Sequence, residues 1–153
     1  MTRLDKFTRV AEMAEQRADS ATLKLAERIN GVASGEAQLG ELHRFRSEYE
    51  IDAAATPALA IAALLNRHRF LGRVDEAIAF QQRELERQQR LLVQEQRHCG
   101  EARAKSRALD NTVARMSAAE TRRSDRYEQS ELDERSQHQR VAWSEQAGEG
   151  GEG

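Results

Sequence analysis

Apolar side chains recur every seven residues along the first third of the chain, in two columns that begin at Leu4 and Phe7. The columns read Leu4, Ala11, Ala18, Leu25, Val32, Leu39, Arg46 and Phe7, Ala14, Ala21, Arg28, Gly35, Leu42, Tyr49. Only Arg28, Gly35 and Arg46 depart from the apolar pattern. A heptad repeat of this length predicts a helix from about residue 3 to residue 51 with a coiled-coil seam along one side.

A second heptad pattern predicts a longer helix, from about residue 59 to residue 145. Its columns are Leu64, Leu71, Ile78, Leu85, Leu92, Cys99, Ser106, Val113 and Val74, Gln81, Gln88, Glu95, Ala102, Leu109, Met116. The second column is polar in its middle, so we expect a narrow seam and weak pairing there. At 1.5 Å per residue this helix outruns the first by about 35 residues, and that overhang either frays or is reserved for another protein.

The two predicted helices are separated by a break over residues 52–58. This stretch contains Pro57, the only proline of the chain, and the residue before a proline is disfavoured from helical geometry. After Ala147 the chain ends in Gly and Glu alone, which predicts a disordered tail over 147–153. We therefore expect a single all-α coiled-coil domain over residues 1–146, followed by that tail.

Composition supports exposed helices and excludes several functional classes. Charged residues make up 33% and aromatic residues 5% of the 153 residues, which does not suit a compact globule. The formal charge of −2 gives no electrostatic case for binding nucleic acid. The most apolar run, Ala53–Leu65, contains the proline and falls short of the about 20 residues that span a bilayer. With no apolar h-region at the N-terminus, we expect no signal peptide, no membrane insertion and a cytoplasmic location.

No pattern in the sequence indicates catalysis. The four histidines His43, His68, His98 and His138 include no pair at the i, i+4 spacing of a helical metal site. Cys99 has no intramolecular disulfide partner and lies in the apolar column, so we interpret it as a small seam residue in a reducing compartment. Phosphate-binding glycine loops and a nucleophile elbow are absent from the sequence. We therefore expect no catalytic, cofactor-binding or metal-binding residues, and no enzyme.

Two features of the second helix allow more than one interpretation. An arginine-rich stretch is interleaved with glutamates, which favours a solvated face over a docking face for an acidic protein. Its arginines are Arg83, Arg87, Arg90, Arg97, Arg103, Arg107. Phe70 lies one position from the seam, where a large aromatic side chain is either a flanking contact or an exposed anchor for a partner.

Three stretches of the sequence resemble the FliJ family, the small stalk proteins of the bacterial flagellar type III export apparatus. The first is Leu4–Tyr49, with its Leu-Asp-Lys-Phe opening, Ala11-Glu12 and Glu36-Ala37-Gln38-Leu39. The second runs from Arg69-Phe70-Leu71 through Asp75-Glu76-Ala77-Ile78 to Gln81-Gln82, and the third is Glu131-Leu132-Asp133-Glu134. The order and spacing of the three stretches carry the resemblance. His98-Cys99 stands where many family members have a tryptophan, so the resemblance implies no partner contact for that part of the helix.

The resemblance implies an antiparallel two-helix coiled-coil hairpin, similar to the central stalk of rotary ATPases. It implies a protein at the cytoplasmic face of the inner membrane that binds the hexameric export ATPase, promotes its assembly and couples it to the cytoplasmic domain of the export gate. The ATPase regulator and export chaperones are further partners in the family, without a readable site here. The implied gate residues are Phe70, Val74, Ala77, Gln81, spaced along one helical face. The implied ATPase residues, at the paired ends of the hairpin, are Leu4, Phe7, Val10, Leu132, Asp133, Glu134.

Two alternatives remain at the level of sequence. The stalk of a virulence injectisome shares the same physical pattern. A general coiled-coil scaffold or homodimer would explain the heptads without any role in export.

Overall fold

The computed structural model describes residues 1–55 and 60–150, and both elements in these ranges are α-helices. Helix α1 spans Arg3–Ala55 (53 residues) and helix α2 spans Ile61–Glu149 (89 residues). The predictions of an all-α chain and a two-helix hairpin are therefore confirmed. Within the described ranges, neither helix contains a run long and apolar enough to cross a membrane.

A reciprocal pair of hydrogen bonds starts α1. The backbone N–H of Asp5 donates to Thr2 Oγ1 over 3.1 Å, and the N–H of Thr2 donates to Asp5 Oδ2 over 3.0 Å. This arrangement satisfies two backbone donors at the helix N-terminus, as a capping box does. The hydrogen bond from the Thr2 backbone is the main cause of a lowered pKa at Asp5. Thr2 and Asp5 therefore fix where the first helix begins.

The helix ends differ from the sequence-based bounds. Helix α1 continues to Ala55, past the predicted end at residue 51, because the Ala53–Ala55 run is a strong helix former and proline restricts only the residue directly before it. Helix α2 continues to Glu149, so Ala147–Glu149, predicted as tail, is helical. Residues 56–58 of the predicted break, residue 59 at the predicted start of α2 and residues 151–153 of the predicted tail lie outside the described residues.

The chain forms two compact units. The hairpin unit is Ala14–Lys105, and the terminal unit consists of Met1–Met13 with α2 from Ser106 onwards. The single domain expected over 1–146 stays a prediction.

In the hairpin unit, contacting residues approach each other in sequence as α1 is followed towards its C-terminus. The separations are 77 residues for Thr22 and Cys99, 43 for Gln38 and Gln81, 29 for Arg46 and Asp75, and 14 for Ala53 and Arg67. Rising positions in α1 thus meet falling positions in α2. This order defines an antiparallel helix pair.

The two heptad columns of α1 predict which of its residues are shielded from solvent. All fourteen column positions are buried or half-buried, including the exceptions Arg28, Gly35 and Arg46. In α2 every column position from Leu71 to Met116 is likewise buried or half-buried. Leu64 is the one error, because it is exposed near the start of α2. At that point α1 has ended, and a seam residue without a facing helix stays in solvent.

The terminal unit contains a small apolar core and a long exposed segment. Ala11 and Ser106 are buried, and the half-buried apolar residues include Leu4, Phe7, Leu109, Val113, Met116. By contrast, every residue from 121 to 150 is exposed. The predicted overhang of α2 thus has no packing partner within the described residues of this unit.

Candidate partner-binding sites

Three aromatic side chains meet in the hairpin unit. The ring of Phe70 lies 4.6 Å from that of Tyr49 at an interplanar angle of 44°, and 6.1 Å from that of Phe45 in a T-shaped arrangement at 65°. Both separations fall in the range of favourable aromatic pairs. Phe70 is half-buried by these contacts, whereas Phe45 remains 49% exposed. Phe70 is therefore a flanking contact of the coiled coil that still presents part of its ring.

A salt-bridge network borders this aromatic cluster. The Arg46 guanidinium donates from Nε to Asp75 Oδ1 and from Nη1 to Glu50 Oε1, each over 2.5 Å. The hydrogen bond from Arg46 lowers the pKa of Asp75, and the same bond raises the pKa of Arg46. The network explains why an arginine occupies a seam position, since its side chain reaches across to the facing helix.

The residues implied for gate binding occupy different depths. Val74 is buried in the seam, and Gln81 is half-buried and donates from Nε2 to Gln38 Oε1 over 3.2 Å. Of the four, only Ala77 is exposed, and Phe70 is half-buried. The four side chains therefore do not form a continuous exposed surface, and their role in gate binding stays a prediction. Val74 and Gln81 belong to a seam column, and Phe70 and Ala77 each lie four residues before one of them. The side of α2 that carries all four residues is therefore turned largely towards α1.

Helix α1 contributes most of the surface next to the aromatic cluster, which was not predicted from the sequence. A groove of about 510 Å³ is lined by Gln38, Glu41, Leu42, Arg44, Phe45, Glu48 and Gln81. All of these except Gln81 come from α1. The spacing of Phe45 and Tyr49, one helical turn apart, was the available signal, because residues four apart share a face.

The residues implied for ATPase binding all lie in the terminal unit. Leu4 and Phe7 are half-buried, and the Arg3 guanidinium lies 5.8 Å from the centre of the Phe7 ring. Val10 is 48% exposed and Leu132 is 59% exposed, with Asp133 and Glu134 also exposed. Since Leu132–Glu134 fall in the exposed segment, the structure does not pack them against Leu4–Val10. The expectation that these two ends are paired is wrong.

Cys99 is buried in the hairpin unit, as expected of a small seam residue. Its Sγ lies 3.7 Å from Thr22 Oγ1, and Arg103 Nη2 donates to the same hydroxyl over 2.9 Å. The neighbouring His98 is exposed. The thiol thus faces α1.

The sequence matches a family model described as the flagellar FliJ protein, over residues 3–142. The chain belongs to the FliJ family. Membership makes it a component of the flagellar protein export apparatus. No curated protein and no solved structure gives a significant match. The FliJ match covers the columns of both helices and much of the exposed segment of α2.

Proposed function

We propose that this FliJ protein is a non-enzymatic stalk at the cytoplasmic face of the inner membrane. It binds the export ATPase, promotes assembly of the ATPase hexamer and couples it to the cytoplasmic domain of the export gate. The observation that carries this proposal is the family match over 3–142 on a chain folded as two long paired helices. Because the matched family is flagellar, the flagellar system is favoured over the injectisome.

The terminal unit supplies the proposed ATPase surface. Val10 and Leu132 are exposed apolar side chains, whose burial against a partner would be favourable. Asp133 and Glu134 next to Leu132 add negative charge that can select a basic partner surface. Leu4 and Phe7 are half-buried, so we assign them mainly to the packing of α1 next to Val10.

The ATPase proposal is tested by measuring ATP hydrolysis and hexamer formation of the cognate export ATPase with the full chain. We expect the wild-type chain to raise both, and Val10→Gln and Leu132→Gln to lose most of the effect. Leu23→Gln is the matched control, because Leu23 is an even more exposed apolar side chain (68%) and lies outside the proposed surface. No effect of the wild-type chain on rate or assembly would sink the stalk proposal and leave the coiled-coil scaffold as the better account.

The aromatic cluster supplies the proposed gate surface. Phe70 and Ala77 are seven residues apart and so lie on the same side of α2, and Phe45 joins them through its contact with Phe70. Partly exposed aromatic rings are frequent anchors in protein interfaces. Val74 and Gln81 support this surface from the seam, and their effect on the gate acts through the packing of the two helices.

The gate proposal is tested by calorimetric titration of the cytoplasmic domain of the gate with variants of the full chain. Ala77→Glu places a charge on the proposed surface without altering the seam, and we expect it to weaken binding by about tenfold, which corresponds to 1.4 kcal/mol. Ala104→Glu is the control, since Ala104 is an exposed alanine in the same helix. Equal affinities of the two variants would remove Ala77 from the interface.

A further inference from the structure

Three arginines form a straight column along the outside of α2 in the hairpin unit. Arg83, Arg90 and Arg97 each follow a seam residue by five positions, which is the position of the heptad furthest from the facing helix. All three are exposed. Their spacing along the axis is about 10.5 Å, from seven residues at 1.5 Å each. The column therefore presents regularly spaced positive charge to solvent.

The arginines of this column have no partner in the described part of the chain. Neither an ion pair nor a hydrogen bond involves Arg83, Arg90 or Arg97 among residues 1–55 and 60–150. By contrast, Arg87 lies beside the column and is bound to Glu84 over 2.7 Å. Glu86 is within one helical turn of Arg83 and Arg90, yet it forms no ion pair with either in the structure. The column is thus free to meet carboxylates from outside.

Two large apolar side chains accompany the column. Phe80 is 63% exposed and precedes Arg83 by three residues, and Val93 is exposed and follows Arg90 by three. Residues three apart lie on neighbouring positions of a helix surface. Neither apolar side chain is needed for the seam, which lies on the opposite side of α2. Apolar side chains next to cations are a combination that a protein partner can use and that solvation alone does not require.

We propose that the outer face of α2 from Phe80 to Arg97, here called the arginine face, docks an acidic helix of another protein. A helix with carboxylates every seven residues would match the column in spacing and charge, and its apolar side chains would cover Phe80 and Val93. The formal charge of −2 and the glutamate within the face disfavour nucleic acid, which requires dominant positive charge. The arginine face is distinct from both surfaces of the proposed function, and it does not depend on either.

The test is site-specific photo-cross-linking of the full chain in cells, with the photoreactive amino acid at position 80. The control carries it at position 23, because Leu23 is 68% exposed on the outside of α1 and has no arginine column. We expect a protein adduct from position 80 only, and mass spectrometry of the cross-linked peptide to show carboxylates at intervals of about one heptad. Equal yields from both positions would overturn the proposal, as would a neutral or basic peptide, RNA or lipid as the adduct.

Charge reversal gives the second arm of the test. Arg83→Glu, Arg90→Glu and Arg97→Glu together should lower the yield at position 80 by about tenfold, since several charge pairs are lost at once. The control combines Arg17→Glu, Lys24→Glu and Lys105→Glu, which changes the net charge equally at exposed sites of the same unit. Helix content of both variants is checked by circular dichroism, and Arg→Gln replacements at the column serve if the reversed variant fails to fold. If the two triple variants lose the same fraction of cross-linking yield at position 80, the effect is one of general charge and the arginine face is refuted.

Discussion

Gly35 offers the sharpest test of the helix pairing, because it is the glycine at which the two helices approach most closely. A Cβ atom at this position would lie 3.1 Å from Gln88 Oε1 and 3.2 Å from Leu85 Cδ1, both on α2. At Gly40, in the same helix, a Cβ atom would meet nothing within 4 Å. Alanine substitution at the two glycines therefore separates helix propensity from packing between the helices.

The expected magnitudes follow from these contacts. Replacing a helical glycine by alanine stabilises the helix by about 1 kcal/mol, so Gly40→Ala should raise the free energy of unfolding by about that amount. Gly35→Ala receives the same gain, but crowding in a packed interface costs about 1–3 kcal/mol. Gln88 Oε1 is buried without a hydrogen-bond partner, so moving it breaks no hydrogen bond, and the cost arises from crowding against Leu85 Cδ1 and Gln88 Oε1. We expect Gly35→Ala to be less stable than Gly40→Ala by about 1–3 kcal/mol.

The assay is urea unfolding of the full chain, followed by far-UV circular dichroism. The wild type, Gly35→Ala and Gly40→Ala are compared under identical conditions, and Gly31→Ala serves as a second control because it too has open space. If Gly35→Ala stabilises the protein as much as the controls do, α2 does not lie against Gly35 in solution. The antiparallel register of the hairpin unit would then be wrong.

Three further predictions follow from other contacts. Asp75→Asn should lower the free energy of unfolding at neutral pH but not at low pH. The hydrogen bond from Arg46 lowers the pKa of Asp75, so the stability that it contributes is lost as pH falls through the folded-state pKa. Urea unfolding curves of the wild type and the variant at both pH values test this. The Cys99 thiol should react slowly with a thiol reagent until urea unfolds the chain, since it is buried; fast labelling of the native protein would contradict its position. Truncation after Glu120 should leave the urea midpoint unchanged while lowering total helicity, because residues 121–150 are exposed; a lower midpoint would reveal packing of that segment.

Much of the fold could be predicted from the heptad columns, because burial on one side of a long helix is a local property of the sequence. The columns identified the shielded residues of α1 even at Arg28, Gly35 and Arg46, where the residue type argued otherwise. The structure explains two of these exceptions: Gly35 leaves room for Leu85 and Gln88, and Arg46 reaches Asp75. A regular repeat thus outweighs single residues that interrupt it.

The candidate sites were less predictable, because a heptad gives the face of a helix but not its register against another helix. The spacing of Phe45 and Tyr49 indicates that they share one face of α1, but it does not indicate that Phe70 is the ring they meet. Because the register between the helices could not be predicted, Leu132 was expected to be paired with the start of α1. In the structure the exposed segment of α2 begins at residue 121, well before Leu132. The end of α1 was misjudged for a local reason, since the alanines at 53–55 favour helix and a proline restricts only the residue directly before it.

The falling separation of contacting residues in the hairpin unit has a consequence for how the protein folds. Contacts near the connection close short loops, with 14 residues between Ala53 and Arg67, whereas Thr22 and Cys99 are 77 residues apart. Closing the longer loop first would cost about 1.5 kcal/mol more in chain entropy. The helices should therefore zip together from the aromatic cluster outwards, with Phe70→Ala slowing folding and Ala21→Gly mainly speeding unfolding in stopped-flow experiments. On a ribosome this order delays pairing until α2 has begun to emerge, so α1 waits as an unpaired helix during synthesis.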